Sequence, residues 1–395
     1  MQRIVIVGGG LAGFEAARAL RQQQFDGEIV MLAAESEPPY DRPPLSKDLL
    51  LGREPQLHFD LSVISGLDLR LKTPARALRE GEIDTDDGTV TADGILLAVG
   101  ADAISLPGAA TLRTHDDARQ LFDQLYPGAV VAVIGAGWIG AEVASAAAEA
   151  GCVVTVYEAM ESPLAAALPT DLGLLTAAWY DQAGVELKLG ERVDDIAALG
   201  ADVVVAGLGA RPATAWLTSS GLELHDRDGA VVVDEFLRAS LPGVVAAGDC
   251  AAWWSRRYER RMRVEHWDTA LHAPPVAVAS LLGRLAAVAQ PGEPYDPVPY
   301  DPVPYFWSHQ FGHNLQFAGY RADDARLVVR GSPNDPSWAV GWIRDTPEGG
   351  HLTAVLTVDQ PRDLTQARRV MVAGSPIDVA RFADPDVPVK SAVLS

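Results

Sequence analysis

Two stretches of this chain have the residue types and spacing to hold a pyrophosphate. The first is Ile4-Val5-Ile6-Val7-Gly8-Gly9-Gly10-Leu11-Ala12-Gly13, followed by a helical run from Phe14 to Leu20. An apolar strand delivers the chain to a tight turn at Gly8. Gly10 has no side chain to hold a phosphate away, and Gly13 lets the helix lie close on the strand. The new helix offers unpaired N–H groups and about half a positive charge to the anion. A further strand from Glu28 to Leu32 leads to Glu35, an acid placed for ribose hydroxyls.

The pattern returns at Val130-Val131-Ala132-Val133-Ile134-Gly135-Ala136-Gly137-Trp138-Ile139-Gly140. A helix from Ala141 to Ala150 follows, then a strand from Cys152 to Tyr157 that ends at Glu158. Glu158 is suited to both ribose hydroxyls of NADH and repels the extra phosphate of NADPH. The next residues, Ala159-Met160-Glu161, carry no cation for that phosphate. One glycine-rich turn alone also fits plain strand–helix packing; two in one chain need two coincidences to bind nothing. Two dinucleotides, one held and one exchanging, imply hydride transfer between them.

The elements that position these cradles belong to a globular α/β chain. Its 395 residues suggest two or three domains, and 48% hydrophobic against 22% charged residues is the balance of a buried core. A formal net charge of −21 repels nucleic acid and anionic membranes, so neither is expected as a partner. Met1-Gln2-Arg3 runs directly into a strand without a targeting segment, and a cytoplasmic location is expected. The apolar stretch from Ala129 to Tyr157 contains Glu142, Glu149 and glycines, and reads as strand–helix–strand rather than a membrane span. Cys152 and Cys250 have neither disulfide nor zinc spacing. His309 and His313 lack a third ligand, so they read as a polar pair and no metal is expected.

At Pro39-Tyr40-Asp41-Arg42-Pro43-Pro44-Leu45-Ser46-Lys47 the chain resembles the FAD-dependent ferredoxin and rubredoxin reductases of the putidaredoxin reductase and dioxygenase reductase type. The resemblance continues at Leu112-Arg113-Thr114, Ala246-Ala247-Gly248-Asp249, Val264-Glu265-His266-Trp267, Pro304-Tyr305-Phe306-Trp307-Ser308 and Asp384 to Lys390. It implies that Gly10, Ala12, Glu35, Arg42, Lys47, Ala75 and Arg113 contact FAD, that Asp249 holds the ribityl hydroxyls and that Trp267 lies beside the isoalloxazine. It places Trp307 over the ring near the nicotinamide. Gly135, Gly137, Gly140 and Glu158 would take NADH, with the Gly207-Leu208-Gly209 turn near its nicotinamide end. The chain departs from the family at His309, where an acid is usual, and at Ala98-Val99-Gly100. Residues 36–60 contain no cysteine, so the thiol chemistry of related disulfide reductases is not expected.

Lys47 and Glu142 are the residues expected near the reactive ring nitrogen, with Trp307 as the third catalytic candidate. Glu142, read on the first turn of the second cradle's helix, would need a cation such as Lys47 if buried; the alternative is that it caps its own helix. Lys47 would also stabilise charge on the reduced flavin. Arg256, Arg257, Arg260, Arg261 and Arg263 cluster near Trp253, Trp254 and Tyr258, a basic patch suited to an acidic ferredoxin.

The expected architecture is two doubly wound dinucleotide-binding domains plus a small α+β C-terminal domain. FAD would take residues 1–112 with 235–301, NADH 113–234, and the last domain 302–395. The repeat Tyr295-Asp296-Pro297-Val298-Pro299, Tyr300-Asp301-Pro302-Val303-Pro304 reads as an extended, surface-lying linker. The leading function is hydride transfer from NADH to FAD, then single electrons to a ferredoxin serving a haem monooxygenase or dioxygenase. The alternatives are NADH-dependent reduction of oxygen, a quinone or another small acceptor, and a redox-responsive flavin-bound interaction protein.

Overall fold

In a computed structural model that describes residues 2–53, 57–289 and 298–394, packing divides the chain into two compact units. One is Met1–Leu125 with Val205–Asp301; the other is Tyr126–Val204 with Pro302–Ser395.

The first unit is built on a five-stranded parallel sheet in the order Val244–Ala246, Gly94–Leu97, Arg3–Val7, Glu28–Leu32, Leu67–Arg70. Ile4, Val5 and Ile6 are completely buried, as a parallel strand covered on both faces must be. The helices Leu11–Gln22 and Trp267–Ala289 pack on each other beside this sheet. Three short antiparallel strands, Ala75–Arg79, Glu82–Thr85 and Gly88–Thr91, form a separate meander.

The second unit repeats the theme, with a four-stranded sheet in the order Glu186–Leu189, Val153–Glu158, Val130–Ile134, Val203–Ala206. It adds a five-stranded antiparallel sheet in the order Tyr305–Gln310, His313–Gly319, Gly349–Val358, Trp338–Thr346, Arg326–Arg330. Helix Pro361–Ala373 packs on this sheet over a core that includes Val355, Leu364, Val370 and Phe382. The stretch read as strand–helix–strand is that: Val130–Ile134, Trp138–Glu149, Val153–Glu158. Among the described residues no helix is long and apolar enough to cross a membrane.

The C-terminal tail is tied down by one buried cation. Arg330 is 3% exposed; its Nε donates to Asp363 Oδ2 at 2.6 Å and its Nη atoms donate to the carbonyls of Phe382, Asp384, Pro385 and Val387. A planar fork with five N–H groups matches that acceptor set as no other side chain does.

The second copy of the proline-rich repeat is not surface-lying. Tyr300 and Val303 are buried, Tyr300 packs edge-on against Trp253 at 5.2 Å, and Val303 joins the core of the antiparallel sheet. Asp301 accepts from Ser255 Oγ at 2.5 Å and from Arg257 N–H at 2.7 Å. The apolar ring and valine find core partners, which composition alone does not show. Tyr295, Asp296 and Pro297 of the first copy lie outside the described residues.

Candidate functional site

The two glycine cradles have the same internal geometry. An added Cβ at Gly13 would stand 2.0 Å from Gly8 O, and one at Gly140 would stand 2.0 Å from Gly135 O. Gly8 and Gly135 both have strongly positive φ, +122° and +101°, which favours glycine. Gly8 N–H donates to Leu32 O at 2.8 Å and Gly135 N–H to Tyr157 O at 2.7 Å, tying each turn to the neighbouring strand. Both helices start earlier than the sequence suggests, at Leu11 and Trp138, because the third glycine of each motif lies inside the first turn. That places the glycine where the helix crosses closest to the strand's end.

What each helix lacks is equally informative. Helices His115–Phe122 and Val379–Ala383 carry side-chain caps from Thr114 and Asp378. The two cradle helices have glycine caps, Gly10 and Gly137, no side-chain cap bond and no acid in the first turn. In a chain of net charge −21 this leaves two helix N-termini as seats for anions. Space above Gly10 is open: an added Cβ would meet nothing within 4 Å. The residues present therefore fit a pyrophosphate in each cradle.

Each strand-end acid is held by two donors. Glu35 accepts from Tyr40 Oη at 2.6 Å and from Arg42 Nη2. Glu158 accepts from Ala136 N–H at 2.8 Å and Met160 N–H at 2.9 Å. A carboxylate offers about four lone-pair directions, so both acids keep capacity for ribose hydroxyls.

In the first unit the structure brings together residues far apart in sequence. Arg42 Nη1 donates to Arg113 O, and Arg113 Nη2 donates to Asp249 Oδ2 at 2.8 Å. Asp249 lies on the turn Gly248–Cys250, where an added Cβ at Gly248 would come within 3.1 Å of Ala12 Cβ. Glu35, Arg42, Arg113 and Asp249 are thus linked alongside the first cradle. Lys47 Nζ donates to Pro43 O at 3.1 Å. Ala75 opens its strand two residues after Thr73, whose N–H donates to Ala33 O at 2.8 Å, just beyond Glu28–Leu32. Gly209 belongs to this unit, ahead of strand Ala210–Pro212, with its carbonyl accepting from Ile104 N–H at 2.9 Å.

Sequence reasoning gave no role to Tyr40, Asp41 or His266, although all three lie inside quoted motifs. Trp267 Nε1 donates to Asp41 Oδ1 at 2.7 Å, which fixes the indole's orientation. Burial pushes Asp41 above the usual carboxylate range, with the Trp267 bond working against it. Burial likewise pushes the Tyr40 phenol far above its usual value. Burial lowers His266 to about 4, despite the opposing charge of Asp249, so its imidazole is neutral at pH 7. A buried imidazole shows in no sequence pattern.

In the second unit Glu142 is the fifth residue of helix Trp138–Glu149, in its second turn rather than its first. It does not cap the helix. Its carboxylate is 4% exposed as a residue and accepts from Ser308 Oγ at 2.6 Å and from His309 N–H at 3.2 Å. Trp307 neighbours Ser308 on strand Tyr305–Gln310 and stacks on Tyr305 with ring centroids 5.8 Å apart.

The five arginines of the basic cluster are not equivalent. Arg261 Nη1 donates to Val233 O and Ala252 O, and Arg263 pairs with Asp228 and Glu265. Arg256 pairs with Glu235 yet remains exposed, as are Arg257 and Arg260. They lie on the hairpin of Ala251–Ser255 and Arg260–Met262, where Trp253 is core and Trp254 is exposed. His313 stacks on Trp179 at 4.3 Å and pairs with Asp359, while His309 is exposed. No group of three or more His, Cys, Asp or Glu suited to a metal occurs among the described residues.

A parallel-sheet cradle in each unit, with an acid at or just beyond the end of each second strand, defines an oxidoreductase of the two-dinucleotide α/β class. Residues 2–273 match the family described as pyridine nucleotide-disulphide oxidoreductase, and residues 305–393 match the reductase C-terminal family. The chain belongs to that oxidoreductase family, and within it to the FAD-dependent ferredoxin reductases that work with NADH. It is 35% identical to the anthranilate 1,2-dioxygenase system ferredoxin–NAD(+) reductase component of Burkholderia cepacia, over 98% of each chain. It is 33% identical to the 5,5'-dehydrodivanillate O-demethylase ferredoxin reductase subunit of a Sphingobium species, covering 98% of this chain and 97% of the relative. Among solved structures, the covalent putidaredoxin reductase–putidaredoxin complex aligns with a TM-score of 0.88 at 28% identity, covering 99% of this chain and 98% of that one.

Proposed function

We propose that this protein is an NADH:ferredoxin reductase of the cytoplasm, serving an acidic iron–sulfur ferredoxin that feeds a haem monooxygenase or dioxygenase. The observation that carries the reading is the pair of matching, uncapped cradles, one for a resident nucleotide and one for an exchanging one. Bound FAD supplies the conversion between a two-electron hydride and single electrons. In this reading Gly8, Gly10, Ala12 and Gly13 seat its pyrophosphate and Glu35 its ribose. Arg42, Lys47, Ala75, Arg113, Asp249 and Trp267 hold the remainder. Gly135, Gly137, Gly140, Glu158 and Gly209 take NADH, and Lys47, Glu142 and Trp307 act at the reactive end. Two bonds support the assignment: the Arg113 ion pair aims Asp249, and the Asp41 bond locks the Trp267 ring.

Stopped-flow mixing with NADH tests the whole. Rapid loss of flavin absorbance, with fast turnover only when a ferredoxin is added, is the expected result. Equal turnover with oxygen or a quinone alone would favour the small-acceptor reading, and slow reduction with no turnover the interaction-protein reading.

Cofactor choice follows from Glu158. Each charged hydrogen bond is worth about 1.5–3 kcal/mol, so Glu158→Arg should weaken NADH use by about 10–100-fold and admit NADPH. Glu158→Gln, which keeps the shape, should lose less. Steady-state kinetics with both nucleotides decides; unchanged preference removes Glu158 from the ribose site.

The docking face proposed for the ferredoxin is the arginine hairpin of Arg256, Arg257, Arg260 and Arg261. Arg261 is better left intact in a test because its guanidinium holds two backbone carbonyls. Changing Arg256, Arg257 and Arg260 to Ala should slow ferredoxin reduction about tenfold at low salt, flatten its salt dependence and spare reduction by NADH. Normal rates for both steps would move the docking face elsewhere.

A further inference from the structure

The cradle helix Trp138–Glu149 meets strand Tyr305–Gln310 and the turn after it along one stripe. Trp138 packs edge-on against Phe306 at 4.6 Å, Glu142 takes the Ser308 hydroxyl and His309 N–H, and Ser145 Oγ accepts from Phe311 N–H at 2.9 Å. Residues 138, 142 and 145 fall on one helix face at the i, i+4, i+7 spacing. Phe306, Ser308 and Gln310 share one face of the strand by its two-residue period.

The middle contact differs in kind from the other two. Gln310 Nε2 donates to Ser308 Oγ at 3.0 Å, and Ser308 Oγ sits 2.6 Å from Glu142 Oε1. A carboxylate only accepts, so the single Ser308 proton points to Glu142 and the Ser308 lone pairs receive the Gln310 amide. Ser308 and Gln310 are each 1% exposed. The Gln310 amide oxygen is buried without a hydrogen-bond partner in the protein. A leucine there would fill similar space without stranding an acceptor, so packing does not call for glutamine. A directed chain of hydrogen bonds ending on a buried carboxylate does call for it, since each bond polarises the next.

We infer that Ser308 and Gln310 are positioning residues for the reaction with NADH: through the directed chain Gln310–Ser308–Glu142 they hold the Glu142 carboxylate in one rotamer. The inference rests on the reading that Glu142 acts at the reactive end, and the experiment separates the two.

The measurement is anaerobic stopped-flow reduction of the FAD-loaded enzyme by NADH, resolving the limiting rate from the NADH dissociation constant. Ser308→Ala is expected to lower the limiting rate about tenfold with the dissociation constant changed less than about twofold, and Ser308→Thr, which keeps the hydroxyl, to restore most of it. Gln310→Leu is expected to slow the step about threefold while the unfolding temperature holds or rises. Ser145→Ala, which loosens the same seam without touching the chain, should leave the rate unchanged. In the Glu142→Gln background Ser308→Ala should have little further effect, the non-additivity of residues acting as one unit. If Glu142→Gln itself leaves the rate intact, the role of Glu142 falls. If Glu142→Gln slows the step and Ser308→Ala does not, or Ser145→Ala slows it equally, the positioning role falls alone. Should Ser308→Ala fail to fold, the Gln310→Leu rate decides.

Discussion

Gly13→Ala should yield protein without its flavin, and Gly140→Ala should yield protein that keeps the flavin but takes NADH poorly. In both, the new Cβ would lie 2.0 Å from a cradle carbonyl, where 3.4 Å is the near limit of ordinary contact. The obstacle is backbone on both sides, so no side chain can swing away. The helix must retreat from the strand end, and its N–H groups leave the positions that face the pyrophosphate. A loss of about 100-fold in affinity, roughly 2.7 kcal/mol, is expected in each case. Because the cradles lie in different units, the two losses should be separable. Visible absorbance of the purified proteins and NADH titration of Gly140→Ala check this. Full flavin content in Gly13→Ala would show that the first cradle is not the flavin's seat.

Arg330→Ala should be the most destabilising single change in the antiparallel domain. Its removal strands the Asp363 carboxylate, 14% exposed as a side chain, together with four tail carbonyls. Breaking a buried pair by deleting one partner costs about 3–5 kcal/mol, which corresponds to a fall in unfolding temperature on the order of 10 °C. Arg330→Lys keeps the charge but has three donors and no planar fork, so it should recover only part. Calorimetry or thermal circular dichroism measures both. A fall of less than about 2 °C for Arg330→Ala would mean that Asp363 and the tail carbonyls find water instead.

The tail illustrates why some motifs are readable as matches but not as physics. Asp384 to Lys390 aligns with the family, yet what the run does depends on Arg330, more than fifty residues earlier, and on carbonyls whose directions no side-chain pattern records. Glu142 makes the same point. Its place in the second cradle's helix suggested a carboxylate that either caps the helix or meets a cation. The structure gives it the hydroxyl of Ser308 and the N–H of His309, from a strand that follows more than 150 residues later.

The cradles themselves were legible from sequence because their physics is local. A turn with positive φ, a helix that touches its own strand and an anion seat at a helix N-terminus are settled within about ten residues, and glycine is the residue that permits each. The acids at Glu35 and Glu158 follow because a parallel strand of fixed rise brings the next acid to the same edge of the sheet. Tertiary structure alone decided which charges are occupied and which face outward: Arg261 holds carbonyls, Arg263 holds acids, and Trp253 is core beside an exposed Trp254. It alone decided that the proline-rich repeat buries Tyr300 and Val303, and that the second cradle's helix is stapled to Tyr305–Gln310. Those outcomes depend on contacts between distant segments, whose energies are set by burial and mutual orientation rather than by any spacing along the chain.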